Sequence, residues 1–366
     1  MKIDAIRTRI VRLPVKSPLV TGNIRIESVW FLLVDLKTDD GASGSSYIWS
    51  FNKAGSSALK AVVEHLANTA LGENPLFTAR LWNGMWRSLI QWGHAGVPVM
   101  GMAAIDAAAW DLAGKVANQP LAQLLGRKLD RVPTYASGLW ITDDLRQLGR
   151  DAEALVTQGF RAVKMRAGRA DVEKDVAAVR AVRDAIGPRI GLMVDLSSAP
   201  TRDYATKLCH ALEPFNLIWI EDPIADEDVA DHAELARAVR TPICFGEKVY
   251  SPHGMRQIID AKAADVLMAD LQRAGGVTGW IRIAALADAA RLPLSSHILP
   301  ELNVHLVASA PTGMYLEHLT WGEELFQERL EMVDGAMKVP EGPGFGLTWN
   351  EDRIRPSLVD EQTFRL

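Results

Sequence analysis

GLMVDLSSAPTRDYATKLCHALEPFNLIWIEDPIADEDVADHAELARAVRTPICFGEK, Gly191–Lys248, is the stretch on which the fold of this 366-residue chain turns. Three short apolar runs, Gly191–Leu196, Leu217–Asp222 and Ile243–Glu247, each carry an acid at or near the carboxyl end. Runs of this length bounded by turn residues are the pattern of buried strands, and the segments between them suit helices. The same unit recurs on both sides. Strands are predicted at Thr134–Gly138 and Ala162–Arg166 before it, and at Val266–Asp270, Leu292–His297 and Met314–Glu317 after it. From Ala162 onward they begin at 162, 191, 217, 243, 266, 292 and 314, in steps of 29, 26, 26, 23, 26 and 22. A near-constant step of this size is a strand–helix unit, and eight such units suggest a closed parallel barrel. A doubly wound open sheet is the alternative. It would usually carry a glycine-rich phosphate turn after its first strand, and the Gly275–Gly276 pair opens a helix without making that fingerprint.

The first third has a different pattern. Lys2–Val15 and Ser28–Lys37 alternate like strands, the second continuing through the turn Thr38–Gly41 toward Trp49. Helices are predicted at Lys53–Leu71, Phe77–Leu89 and Pro98–Val116. The segment Glu324–Leu366 reads as β-rich and irregular, with Gly342, Pro343 and Gly344 as a turn, folding back onto the N-terminal part. The expected organisation is an α+β unit over 1–130, a barrel over 131–323 and a returning tail over 324–366.

With 48% hydrophobic and 23% charged residues the chain is of globular composition, which excludes a disordered, collagenous or coiled-coil protein. A net charge of −5 is a poor match for phosphate backbones, so no nucleic-acid partner is expected. Cys209 and Cys244 make no disulfide framework, the N-terminus lacks a signal-peptide layout, and no apolar run reaches the roughly 18 residues of a membrane span. A cytoplasmic protein without a membrane partner is expected.

The chemistry gathers at the strand ends. Asp195, Glu221 and Glu247 are spaced evenly, 26 and 26 residues apart, at the ends of consecutive strands. In a barrel those ends meet at one mouth, where three carboxylates repel unless a cation sits among them; oxygen donors favour Mg²⁺, with Mn²⁺ an acceptable substitute. The alternative is that each acid caps a helix at its turn. Lys164 and Arg166 alternate on one strand and so share the inner face, where two cations would bind a carboxylate and favour its enolate, or else pair with the nearby acids. Asp270 and His297 end adjacent strands. A carboxylate there fixes the imidazole tautomer and makes it a general base, although Asp270 as a helix cap is the plainer role. Glu317, if protonated at a buried position, would donate a hydrogen bond to a developing oxyanion; a surface acid is the alternative.

Together these residues resemble the enolase superfamily, specifically its mandelate racemase subgroup (the mandelate racemase/muconate lactonizing enzyme family). The resemblance covers nearly the whole chain. It is carried by AAIDAAAWDLAGK (Ala103–Lys115), FRAVKMR, MVD, WIEDP, GEK, the Asp270/His297 pair in MAD and SSH, and HLVASAPTGMYLE (His305–Glu317). It implies an α/β fold, a modified (β/α)₇β TIM-like barrel with an α+β capping domain built from the N-terminal segment and the C-terminal tail. It also implies one Mg²⁺ per active site on Asp195, Glu221 and Glu247, Lys164 against the metal-bound substrate carboxylate, His297 as acid/base oriented by Asp270, and Glu317 hydrogen-bonded to the intermediate. A homo-oligomer acting on a small-molecule carboxylate is expected on the same ground.

The chain departs from the family pattern at two positions. Arg166 stands where the family usually has a second Lys that serves as the opposing base; arginine is a poor base and a good carboxylate clamp. Ser197 stands where Asn is common. Racemisation needs a base on each face, whereas dehydration can use one His in turn as base and acid. The reaction expected is therefore α-proton abstraction from a 2-hydroxy acid followed by dehydration of a sugar acid to a 2-keto-3-deoxy acid. The candidate lining from Ser17–Ser28 and Tyr47–Lys53 leaves the substrate open. Ile24, Trp49 and Phe51, with Trp140 from the barrel, suit an apolar or aromatic 2-hydroxy acid and a racemase. Arg25, with Thr21, Asn23 and Asn52, suits a polyol or diacid, and Ser197 gives one shorter polar contact near the substrate. A non-catalytic binding protein on the same fold is the remaining alternative, and a zinc hydrolase is disfavoured by the missing His-rich ligand sets.

Overall fold

Every second residue of the barrel strands points inward, and this alternation builds the interior in layers. The computed structural model describes residues 1–21, 24–169, 171–198 and 201–366, without the side chains of 16–18, 21 and 24. Eight parallel strands follow one another around the barrel: β4 (Arg131–Leu139), β5 (Ala162–Arg166), β6 (Gly191–Asp195), β7 (Ile220–Glu221), β8 (Ile243–Phe245), β9 (Val266–Asp270), β10 (Leu294–His297) and β11 (Leu316–His318). β11 pairs with β4, and the bonds Met314 N→Leu294 O (2.9 Å) and Ser296 N→Tyr315 O (3.1 Å) join the β10 and β11 segments, so the barrel closes. Helices follow the first seven strands, and a short 3₁₀ turn follows β11.

The lower interior is filled by Tyr135, Ala162, Met193, Trp219, Cys244 and Met268. Two residues further along, on the same face, stand Lys164 after Ala162, Asp195 after Met193, Glu221 after Trp219 and Asp270 after Met268, and likewise Glu317 after Tyr315, which packs against this plug. An apolar plug thus forms the floor on which the polar mouth stands.

Three antiparallel strands, β1 (Ile3–Thr21), β2 (Ile24–Thr38) and β3 (Ser43–Ser50), form the cap sheet, backed by α1 (Lys53–Ala70), α2 (Thr78–Ser88) and α3 (Val97–Ala117). Their shared core includes Ile6, Ile10, Leu32, Leu66, Met85 and Ile105. Two short strands, β12 (Met332–Val333) and β13 (Ala336–Lys338), attach the tail to β4, and β14 (Leu358–Arg365) pairs antiparallel with β1 on the cap sheet.

Some boundaries differ from expectation. The candidate lining segment Ser17–Ser28, expected as a loop over the mouth, is strand-paired over its described residues near the tip: Leu19 faces Ile26 and Val20 faces Arg25 after an irregularity between Pro14 and Leu19. The pairing resumes at Leu19, so Pro14 breaks the ladder only locally. β7 and β8 are shorter than expected, and Glu247 stands two residues past β8, beyond Gly246 at φ +130°. No helix among the described residues is long and apolar enough to cross a membrane.

α3 docks the cap on the barrel. Asp106, fully buried, accepts from Thr278 N (2.8 Å) and Thr278 Oγ1 (2.6 Å), and so caps a barrel helix, Val277–Ala290, from another part of the chain. Gly276 permits this approach, because a Cβ there would lie 2.5 Å from Asp106 Oδ2. Burial raises the Asp106 pKa to about 7 against the opposing Thr278 hydrogen bonds. Trp82 Nε1→Gly275 O (2.8 Å) and Trp49 N→Gln272 Oε1 (2.6 Å) complete the dock.

Candidate active site

Lys164 is the centre of the mouth. Its side chain is buried, and its Nζ donates to Glu221 Oε1, lies 2.9 Å from Glu317 Oε1 and 3.9 Å from Asp195 Oδ2, and sits 5.4 Å from the centroid of the Tyr135 ring beneath. Burial alone would lower its pKa, but Glu221, Glu317 and Asp195 outweigh it and hold the ammonium above its ordinary range. Burial pushes Glu221 well above the usual carboxylate range, and Asp195, Glu247 and Glu317 add to the shift while Lys164 opposes it. Trp219 Nε1 anchors the other Glu221 oxygen at 2.9 Å.

Asp195 Oδ1 accepts from Ser197 N (2.7 Å) and Ser197 Oγ (3.0 Å), in a turn where Ser197 and Ser198 have φ of +47° and +70°. Asp222 (φ +43°), Ile298 (+46°) and Leu299 (+47°) are also left-handed. Left-handed backbone is costly for residues with a Cβ, most of all for a β-branched Ile, and its concentration at strand ends marks an over-determined site. At Ile298 the geometry has a visible use, since its N–H is aimed at Glu317 Oε2 (2.8 Å).

His297 and Asp270 are brought together. His297 Nδ1 lies 2.6 Å from Asp270 Oδ2, and Nε2 lies 3.3 Å from Glu247 Oε2. Burial lowers the imidazole pKa, but Glu247, the Asp270 hydrogen bond and Glu317 more than offset this and raise it. Asp270 also accepts from Arg273 N (2.9 Å), so the expected helix cap and the expected His partner are one residue performing both tasks. Glu247 stays ionised below its ordinary range; burial opposes this, and His297, Lys248 and Lys164 prevail. Glu317 behaves alike: burial raises its pKa, while Lys164, His297 and Arg166 bring it to about 2. Two cations and an imidazole beside Glu317 favour an ionised acceptor over the protonated donor that the sequence suggested.

Arg166, 6% exposed, donates from Nη1 to Ser137 O (2.8 Å) and lies 3.5 Å from Asp195 Oδ2 and 3.9 Å from Glu317 Oε1. Trp49, Phe51 and Trp140 converge with Trp321 in an aromatic group. Beside it, between cap and barrel, lies a cavity of about 280 Å³ whose walls include Leu19, Val29, Trp140, Leu319 and Trp321. Arg25 stands apart: its side chain is 65% exposed and pairs with Glu27 (3.3 Å) on the same strand. The side chains of Thr21, Asn23 and Ile24 lie outside the described residues.

Asp195, Glu221 and Glu247 offer the hard oxygen donors that Mg²⁺ takes, from the ends of three consecutive strands of one mouth. The residues fit a divalent cation by chemistry. As they stand, no three acid, His or Cys side chains among the described residues share one point, and the Lys164 ammonium lies among the acids. Arg273 escaped the sequence reading; its Nη1 reaches both Glu247 O (2.9 Å) and Asp270 Oδ2 (3.4 Å). So did Lys248, bonded to Asp222 (2.8 Å) and Ser198 Oγ (2.9 Å), and Trp321. The repeating strand-end signal could have flagged Lys248 beside Glu247; nothing local signals the other two.

The barrel, the cap and the strand-end residues define a chain of the enolase superfamily. Residues 5–126 match the mandelate racemase/muconate lactonizing enzyme N-terminal domain, and residues 147–353 match the enolase C-terminal domain-like family. The chain belongs to the mandelate racemase/muconate lactonizing enzyme family of that superfamily. It is 32% identical to the L-talarate/galactarate dehydratase of Salmonella typhimurium over 97% of this chain and 90% of that one. Among solved structures, L-talarate dehydratase from Polaromonas sp. JS666, complexed with Mg and L-glucarate, superposes with a TM-score of 0.92 at 34% identity, covering 100% of this chain and 99% of that one. An enolase from Bradyrhizobium complexed with magnesium and mandelic acid gives 0.90 at 33% identity, covering 98% and 100%.

Proposed function

We propose that this chain is a Mg²⁺-dependent lyase that dehydrates a sugar acid to a 2-keto-3-deoxy acid. The observation that carries the reading is the asymmetry of the mouth: one hydrogen-bonded imidazole on β10 and a guanidinium on β5 where a second base would stand. The sugar-acid dehydratases among its relatives, acting on talarate/galactarate, arabinonate, xylonate and rhamnonate, support the substrate class.

Asp195, Glu221 and Glu247 would hold the ion. When bound it supplies positive charge to the substrate carboxylate and so acidifies the α-proton. Lys164 and Arg166 add charge on the same carboxylate, which the enolate dianion needs more than the ground state does. His297 Nε2, its tautomer set by Asp270, takes the α-proton and returns it to the departing 3-hydroxyl, which leaves as water. The enol left behind takes a proton at C3 and becomes the 2-keto acid. Ionised Glu317 holds the Ile298 turn, and with it the reach of His297.

The aromatic group favours a second reading, racemisation of an apolar or aryl 2-hydroxy acid, and the mandelic acid bound by the Bradyrhizobium relative supports it. One screen in D₂O with Mg²⁺ separates the two. Keto-acid release from sugar acids supports dehydration; α-deuteration with inversion and no keto acid replaces it with racemisation. Absence of exchange across both acid classes leaves a binding protein.

The buried free thiols Cys209 and Cys244 support a reducing, cytoplasmic setting. The division into 1–130, 131–323 and 324–366 and a homo-oligomeric state belong to the same reading, tested by limited proteolysis and by light scattering.

A further inference from the structure

The proposed reaction leaves one neighbour of Arg166 without a role. The guanidinium carbon lies 4.2 Å from the centroid of the Trp140 ring. Trp140 stacks nearly parallel on Trp321, centroids 6.0 Å apart and planes at 14°. Trp321 in turn meets Trp49 (5.4 Å, 62°) and Phe51 (5.9 Å, 76°) edge-on. Trp140 follows β4, Trp321 follows β11, and Trp49 and Phe51 come from the end of β3. Three separated parts of the chain thus meet behind one cation.

Arg166 needs such a support. Among the described residues its one hydrogen bond is to Ser137 O, and its acidic neighbours are 3.5 and 3.9 Å away. Coulomb attraction at those distances does not fix the plane of a guanidinium. Unrestrained, the group would swing into a bidentate pair with Asp195 or Glu317, the geometry it prefers, and its donors would be lost to the substrate. A ring beneath a desolvated guanidinium attracts it and fixes its plane.

We infer that Trp140, braced by Trp321, is a positioning residue that holds the Arg166 guanidinium for the substrate. The inference rests on Arg166 being the carboxylate clamp. Because Trp321 braces the ring from behind, its loss should also release Arg166.

The test uses the full chain labelled with ¹⁵N-arginine. In the wild type, the Arg166 side-chain N–H resonances, assigned with Arg166→Lys, should be separate lines of a restrained group. Trp321→Leu should average them by rotation about Nε–Cζ, as should Trp140→Leu, whereas Trp140→Phe should keep them separate. Restrained lines in both leucine variants would overturn the inference. Kinetics supply the second arm, on whichever of galactarate, talarate, arabinonate, xylonate and rhamnonate is turned over fastest. Trp140→Leu should lower kcat about tenfold with little change in KM, and the same change in an Arg166→Met background should cost under about twofold. Equal costs in both backgrounds would overturn the inference while leaving the clamp intact. Full activity of Arg166→Met alone would sink the clamp itself, and failure of every acid would sink the dehydratase reading while the spectra still decide the position of Arg166.

Discussion

His297 on β10 and Arg166 on β5 are both buried at the mouth and both lie near acids, yet they are held in different ways. His297 is tied by a short bond to Asp270, itself fixed by Arg273. Arg166 is tied to a neutral carbonyl and an aromatic face. The first arrangement sets which nitrogen carries a proton; the second sets the direction of a charge that is not given up. One side of the mouth is built to move a proton and the other to stand still.

The largest test of this contrast removes the positive charge common to both sides. Exhaustive chelation should reduce keto-acid release to background and Mg²⁺ should restore it. At about 100 times Kd the ion should also add ~2.7 kcal/mol of stability, visible as a rise in Tm. Activity that survives chelation would break the assignment of Asp195, Glu221 and Glu247. Next in size, His297→Asn should lower kcat by ~10³-fold, within the range for general acid–base catalysis, and abolish α-deuterium exchange. Exchange that persisted in this variant would place the base elsewhere.

Arg166→Lys sharpens the contrast from the other side. It puts a group able to lose its proton where the guanidinium stands. We expect dehydration to fall about tenfold through loss of the planar clamp, and a small new exchange with inversion of the α-carbon to appear. Chiral analysis of recovered substrate in D₂O reads it, and strict retention would count against a base position on that face.

Asp106 offers a control outside the mouth, a buried acid that forms no ion pair among the described residues. Its pKa is raised from 3.8 to about 7 by burial. The folded state therefore holds a proton that the unfolded state releases, so its contribution to stability is full below about pH 4 and is lost as pH rises through about 7, by up to ~1.4 kcal/mol per unit. Asp106→Asn should flatten the fall of Tm between pH 5 and 7, and an unchanged slope would refute this. The smallest effect belongs to Arg25→Ala, expected to change kcat/KM less than about twofold, since its exposed side chain pairs with Glu27 along its own strand.

The strand periodicity and the acids at strand ends were legible because both follow from local rules. An apolar run names a buried strand, and alternation names the residue that shares the inner face with the plug below. Glu221 could be located from Trp219 in this way. The pairing around Leu19 and Ile26 was missed because the predicted strands stop at Val15 and start at Ser28, short of where the ladder resumes after its irregularity. Arg273, Trp321 and the cationic surroundings of Glu317 were not legible because each depends on side chains brought together from distant strands. The Asp106 dock was visible only as part of a family motif; that it caps Val277–Ala290 needs the fold.

β14 against β1 has a consequence in time. Ala5 pairs with Arg365, a separation of 365 − 5 = 360 residues. β1 pairs with β2 almost at once, but its other edge must wait until the entire barrel has been made. During synthesis that edge is an open row of backbone donors and acceptors, a template for any passing strand. The cap is therefore the first part of the molecule to begin folding and the last to be sealed.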